Sequence, residues 1–312
     1  MFSIIVIQII KMLLILCVGV LCWHLKLIDE HTNKGLANLL LLVVNPVIAV
    51  TALQADYRPE LVHGLLISFA LAIATHLIMI LVSSLLVRGS DHGNISVERF
   101  CSMYSNCGFF GIPLIQSTLG NEGVLYLAAY ITIFNVFSWT HGLGLMTRDT
   151  TGQVSGTSAK QLLKNLCSPM ILASALGLVL FFLQIKFPPI IADTLDYIGD
   201  MNTPLAMIIA GTSVAQTSIP SLLKNRRIYL VSSIKLLIMP ALLLAILLVV
   251  NVNSTVAYTM LIAAACPSAA TGTAFALRYG KNYTYSSELY AFSTLCSLVT
   301  IPLFIYAAER LL

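Results

Sequence analysis

Charge is scarce in this chain. Of its 312 residues 10% are charged and 58% hydrophobic, and the mean hydropathy is +0.91. Soluble domains carry roughly 25% charged residues, so a water-facing surface could not be covered, and a polytopic α-helical membrane protein is expected. The net charge of +4 gives no sign of nucleic acid, because the basic residues form no stripe or motif. Metal-binding cysteine patterns are missing too. The seven cysteines (17, 22, 101, 107, 167, 266 and 296) include no Cys-x-x-Cys pair, and those in apolar runs read as small hydrophobes. No metal or cofactor is expected. No cleavable leader is expected either: the run 2–27 is too long for a signal-peptide core and has neither a basic start nor a cleavage site. It reads as a first span.

Apolar runs long enough to cross a bilayer number ten, at 3–26, 35–54, 62–87, 95–118, 123–146, 167–186, 203–218, 228–250, 256–277 and 286–309. Turn residues separate them, among them Arg58-Pro59-Glu60, Gly120-Asn121, Pro188-Pro189 and Gly280-Lys281-Asn282. The seventh run is short and starts at Pro204, a helix-opening position. Loops 1–2, 3–4, 5–6, 7–8 and 9–10 hold twelve of the seventeen Lys and Arg residues, and the opposite side holds three. That bias puts the odd-numbered loops in the cytoplasm and both termini outside a cell membrane.

Five spans per half is an odd number, so the second half enters with inverted orientation. The punctuation of the halves agrees: Asn45-Pro46 answers Asn202-Thr203-Pro204, and each half carries one polar interruption inside an apolar run. The first is Asn106-Cys107-Gly108-Phe109-Phe110-Gly111-Ile112-Pro113, and the second is Cys266-Pro267-Ser268-Ala269-Ala270-Thr271-Gly272-Thr273. Irregular backbone at membrane depth survives only where protein buries it or a cavity needs it. Paired interruptions in inverted repeats point to a substrate site. The expected units are 1–147, a cytoplasmic linker at 148–166, and 167–312.

The motifs Asn106 to Leu114, Asn202 to Ala206, Cys266 to Tyr279 and Ser293 to Leu303 resemble those of the auxin efflux carrier family. That family includes plant PIN-formed proteins and bacterial malate and malonate permeases. The resemblance covers nearly the whole chain, with 148–166 standing where plant members have a large loop. It implies a scaffold of spans 1, 2, 6 and 7, often a dimer surface. Spans 3–5 and 8–10 would form a moving transport domain in which spans 4 and 9 cross at their breaks. It also implies that Asn106, seven residues before Pro113, contacts substrate. Gly272 stands where plant members have a proline.

Each break leaves unpaired N–H groups with partial positive charge, which suits a carboxylate. Ser105, Asn106, Ser268, Thr271 and Thr273 add neutral donors and acceptors, while Gly108, Pro113, Pro267 and Gly272 shape the backbone. All thirteen acidic residues fall in loops or at span ends, so an acid-based sodium or proton site is not expected. Four ionisable groups lie within spans. Lys235 either snorkels outward or attracts an anion, and Lys11 snorkels. His76 and His141 read as packing residues, with His76 the better candidate for proton traffic. A small organic anion is thus the expected cargo. An intramembrane protease lacks its paired aspartates or zinc motif, since the one Gly-Asp, Gly199-Asp200, falls in a loop. A channel remains the other class, separable by counterflow.

Overall fold

A computed structural model describes residues 2–54, 56–89, 92–147, 169–217, 224–250 and 252–312. The expected linker 148–166 lies outside them. Every regular element is helical: α1 (Phe2–His24), α2 (Glu30–Thr51), α3 (Pro59–Leu86), α4 (His92–Met103), α5 (Cys107–Thr147), α6 (Pro169–Leu183), α7 (Pro189–Asp200), α8 (Asn202–Ala215), α9 (Arg226–Val249), α10 (Ser254–Ala265), α11 (Thr271–Arg278) and α12 (Tyr283–Leu311). Six of these, α1, α2, α3, α5, α9 and α12, are long and apolar enough to cross a membrane, and α6 and α10 are shorter apolar helices. Along α1 the exposed Ile4, Ile7, Leu14, Val18 and Leu21 recur at helical spacing, as a lipid-facing stripe requires.

Local chemistry sets the helix starts. Asp29, Asn225, Asn253 and Asn282 each accept a backbone N–H of the turn that follows, from Thr32, Arg227, Thr255 and Tyr285. Pro59 opens α3 and Pro189 opens α7, where the missing N–H costs nothing. This corrects the expectation of a loop at Pro188-Pro189 followed by a span from 203. Helix begins at Pro189, and Gly199-Asp200 ends α7 rather than lying in a loop.

Three of the prolines inside the long helices follow wide turns, while Pro302 sits within regular helix in α12. Leu40–Val44, Cys107–Gly111 and Ile234–Ile238 are single π-turns, and each ends two residues before a proline: Pro46, Pro113 and Pro240. A proline supplies no N–H to the preceding turn, and a widened turn absorbs the mismatch. Such bulges frequently occur at functional sites. A fourth lies at Ser138–Gly142. Gly120 is non-helical, at φ 66° and ψ −160°, so α5 bends sharply where Gly120-Asn121 was read as a turn.

The core lies along α3, α4, α5, α10 and the inner face of α12, and it includes Phe100, Tyr104, Phe110, Tyr126 and Tyr130 at 1% exposure or less. Beside it α1 crosses α8 at near backbone contact. A Cβ on Gly19 would fall 2.4 Å from the Ile208 carbonyl oxygen, and one on Gly211 would fall 2.1 Å from that of Leu16. Only glycine permits that approach, as small residues do between membrane helices. Asn45 of α2 and Asn202 of α8 meet through a buried hydrogen bond, Nδ2 of Asn202 to Oδ1 of Asn45 at 2.7 Å.

Candidate functional site

The two interruptions lie against each other. Helix α4 ends at Met103, α10 ends at Ala265, and the loosened strands that follow pair antiparallel at Ser105 and Ser268. Two backbone bonds close the pair: Asn106 N–H to the Pro267 carbonyl at 2.8 Å, and Ala269 N–H to the Tyr104 carbonyl at 2.9 Å. Broken helices leave peptide groups that need partners, and each break satisfies the other. This bridge is the one β-like contact among the described residues.

Side chains tie the junction to its surroundings. Ser268 donates its hydroxyl to the Cys101 carbonyl at 2.7 Å, and its N–H goes to Ser293 Oγ of α12 at 3.1 Å. Lys235 comes from the π-turn of α9 and is fully buried. Its Nζ donates to Ser105 Oγ at 2.6 Å and to the Ala264 carbonyl at 2.7 Å. The ammonium therefore points inward, so the snorkelling alternative fails for Lys235. The reason is the face of α9 it occupies, which packs on α4, α10 and α12. Lys11, by contrast, is exposed on α1.

Asn106 caps the start of α5 with non-helical backbone, φ −78° and ψ 48°. Its carboxamide is not tied into the bridge, and it faces the buried Tyr290 hydroxyl of α12. The Tyr290 hydroxyl lies beside Asn106 and Thr294 and the Tyr130 hydroxyl beside Ser105, while Thr271 Oγ1 meets no partner among the described residues. Buried polar atoms are nearly always paired, and here the loosely engaged ones gather at the junction. Beyond Asn106, the opening N–H groups of α5 lack acceptors in any preceding turn. Gly108 faces Asn45 Nδ2, which would lie 3.6 Å from an added Cβ, in ordinary van der Waals contact.

The other expected residues divide clearly. Ser105, Asn106, Pro267 and Ser268 meet at the bridge, with Lys235 against them. Pro113 sits beyond the π-turn, inside regular helix, so it shapes α5 without standing at the break itself. Thr273 is engaged with Ser286 at 3.3 Å. Gly272 was expected to free the backbone, but it lies within α11. Its role is close packing, since a Cβ there would fall 2.9 Å from Phe100 Cδ1.

His76 and His141 stand behind the first break in an aromatic shell. His76 packs 5.0 Å from the Tyr130 ring and 5.4 Å from that of Phe137, and its Nδ1 bonds the Ala72 carbonyl at 2.8 Å. His141 Nδ1 meets the Tyr104 hydroxyl at 3.0 Å. The sequence reading missed the importance of Glu98, which sits only a few residues inside its span. It is 2% exposed, bound by Arg227 through two nitrogens and by the Tyr285 hydroxyl at 2.9 Å. These residues line a polar cavity of about 420 Å³ with Asn94, Asn225 and Asn282. An acid a few residues inside one span, with the pair Arg226-Arg227 at the matching end of another, was the available signal.

Comparison with known proteins places the chain among membrane transporters. Residues 4–305 match the family described as membrane transport protein. An uncharacterized transporter YfdV of Escherichia coli K12 is 25% identical over 221 residues, covering 70% of this chain and 69% of its own length. An uncharacterized transporter of Methanothermobacter thermautotrophicus is 27% identical over 218 residues, covering 69% of each. The chain belongs to the membrane transport protein family, the auxin efflux carriers that its motifs resemble, and is a membrane transporter.

Proposed function

We propose that the chain is a secondary transporter for a small organic anion such as malate, malonate or another carboxylate, working by alternating access of the elevator type. The observation that carries this reading is the junction of the two breaks. It sets the Asn106 carboxamide beside the opening N–H groups of α5 and the Tyr290 hydroxyl, with no carboxylate in the bridge. An anion at that place gains N–H donors and an amide while meeting no like charge.

Ten spans as an inverted five-plus-five repeat fit the helices. Span 4 corresponds to α4 with the start of α5, span 9 to α10 with α11, and span 7 to α7 with α8. The Asn45–Asn202 bond joins the two motifs that the repeat equates, which supports the pairing. In this reading α1, α2 and α6–α8 form a scaffold that dimerises in the cell membrane, with both termini outside. The remaining helices carry the site past it, and Gly108, which faces Asn45 at contact distance, stands where the two domains slide.

The test is counterflow of a labelled carboxylate in proteoliposomes. Wild-type protein loaded with unlabelled substrate should accumulate label transiently, which a channel does not do. Asn106→Ala should lower the rate roughly 10- to 100-fold, the worth of one hydrogen bond to a charged group, at equal membrane abundance. An unchanged rate in that variant removes Asn106 from the site.

A further inference from the structure

Lys235 is a charge at the junction that the anion site does not by itself require. Its ammonium is enclosed by Ser105 Oγ at 2.6 Å and the Ala264 carbonyl at 2.7 Å. The first oxygen belongs to the loosened strand of the first break. The second belongs to the last turn of α10, where helix carbonyls have no further N–H to accept from. Lys235 makes no ion pair among the described residues, and the buried carboxylate of Glu98 on α4 is already taken by Arg227 and Tyr285. The titratable groups that face it are His76 from α3, Cys107 from α5 and Cys266 beyond α10, none of them an acid of the carboxylate kind. A buried charge without a counter-charge is costly, so the two oxygens carry the task of holding it.

Carriers built on broken helices coordinate their coupling cation with unwound carbonyls and the C-terminal ends of half-helices. Lys235 engages one such helix-end carbonyl, that of Ala264, together with the Ser105 hydroxyl on the unwound segment. We propose that Lys235 is a resident cation: its ammonium fills the oxygen seat that sodium would otherwise take, so the junction is complete without sodium. The proposal rests on reading the junction as the transport site. It specifies that transport through this site does not depend on sodium. Removing the ammonium leaves Ser105 Oγ and the Ala264 carbonyl facing a vacated space of the right chemistry for sodium.

The test uses the purified full-length protein in choline chloride and in sodium chloride at equal ionic strength. Wild-type protein should unfold at the same temperature in both salts and exchange carboxylate at the same rate. Lys235→Ser contributes a third oxygen and should gain about 3 °C in sodium over choline, because a ligand that binds only the folded state raises its stability. Lys235→Gln, with an amide oxygen on a longer stem, should respond in the same direction and serves if the serine variant does not fold. Sodium-dependent unfolding or exchange in the wild type overturns the proposal whether or not either variant folds. A folded variant indifferent to sodium overturns it as well. Protein that is insensitive to sodium as wild type, sensitive as Lys235→Ser, and inactive in counterflow would uphold the resident cation and defeat the carrier reading instead.

Discussion

The two arms of the junction carry similar residue types and use them differently. In the arm around Ser268 most polar groups are tied down: its hydroxyl holds Cys101, its N–H holds Ser293, and Thr273 holds Ser286, with Thr271 Oγ1 left over. In the arm around Asn106 the backbone is held by the bridge and Ser105 by Lys235, but the Asn106 carboxamide is left out of the bridge and faces the Tyr290 hydroxyl. One arm anchors and the other presents. Two arms of similar composition therefore need not yield two equal subsites, because each polar group can serve either the fold or a ligand. The asymmetry also explains why the second arm can do without an amide.

Substitutions in the anchoring arm should act on stability. Gly272→Ala brings a methyl group within 2.9 Å of the Phe100 ring. It should destabilise the protein by about 1–3 kcal/mol through overpacking, read as a fall in unfolding temperature that Phe100→Leu partly restores. A variant as stable as wild type would show that the arm yields more easily than its packing implies. Ser268→Ala has a smaller expected effect. It strands the Cys101 carbonyl at a cost of about 1–2 kcal/mol, while stabilisation of the protein by carboxylate should be nearly unchanged. If Ser268→Ala instead abolishes that response at unaltered stability, the second arm presents as well as anchors, and the contrast is broken.

Much of this was legible in the sequence because membrane proteins punctuate long apolar runs with a few residues. Asn106, Pro113, Pro267 and Ser268 stood out as interruptions, and Asn45 and Asn202 as matched marks, since each breaks a local pattern. What stayed hidden is non-local. Nothing in the runs around Ser105 and Ser268 states that their backbones will pair, because that requires two helices from opposite halves to end at the same depth. The direction of the Lys235 side chain depends on which face of α9 meets α4, α10 and α12, and hydropathy does not resolve a face in a helix that is apolar nearly all round. Glu98 near a span end looked like a solvated charge until Arg227 and Tyr285 were seen to close on it. Gly272 shows a different limit. Its type was read as backbone freedom, whereas its neighbour Phe100 makes it a matter of space.

The central claim is that the first arm presents Asn106 to an anion while the second holds the junction together. Thermal unfolding of purified wild-type and Asn106→Ala protein against a panel of small carboxylates tests it most directly. The account expects at least one carboxylate, malate and malonate among those tried, to raise the unfolding temperature of the wild type. It expects Asn106→Ala to unfold at nearly the wild-type temperature without ligand and to lose most of that rise. Equal stabilisation of both proteins, or no stabilisation of the wild type by any carboxylate, would contradict it.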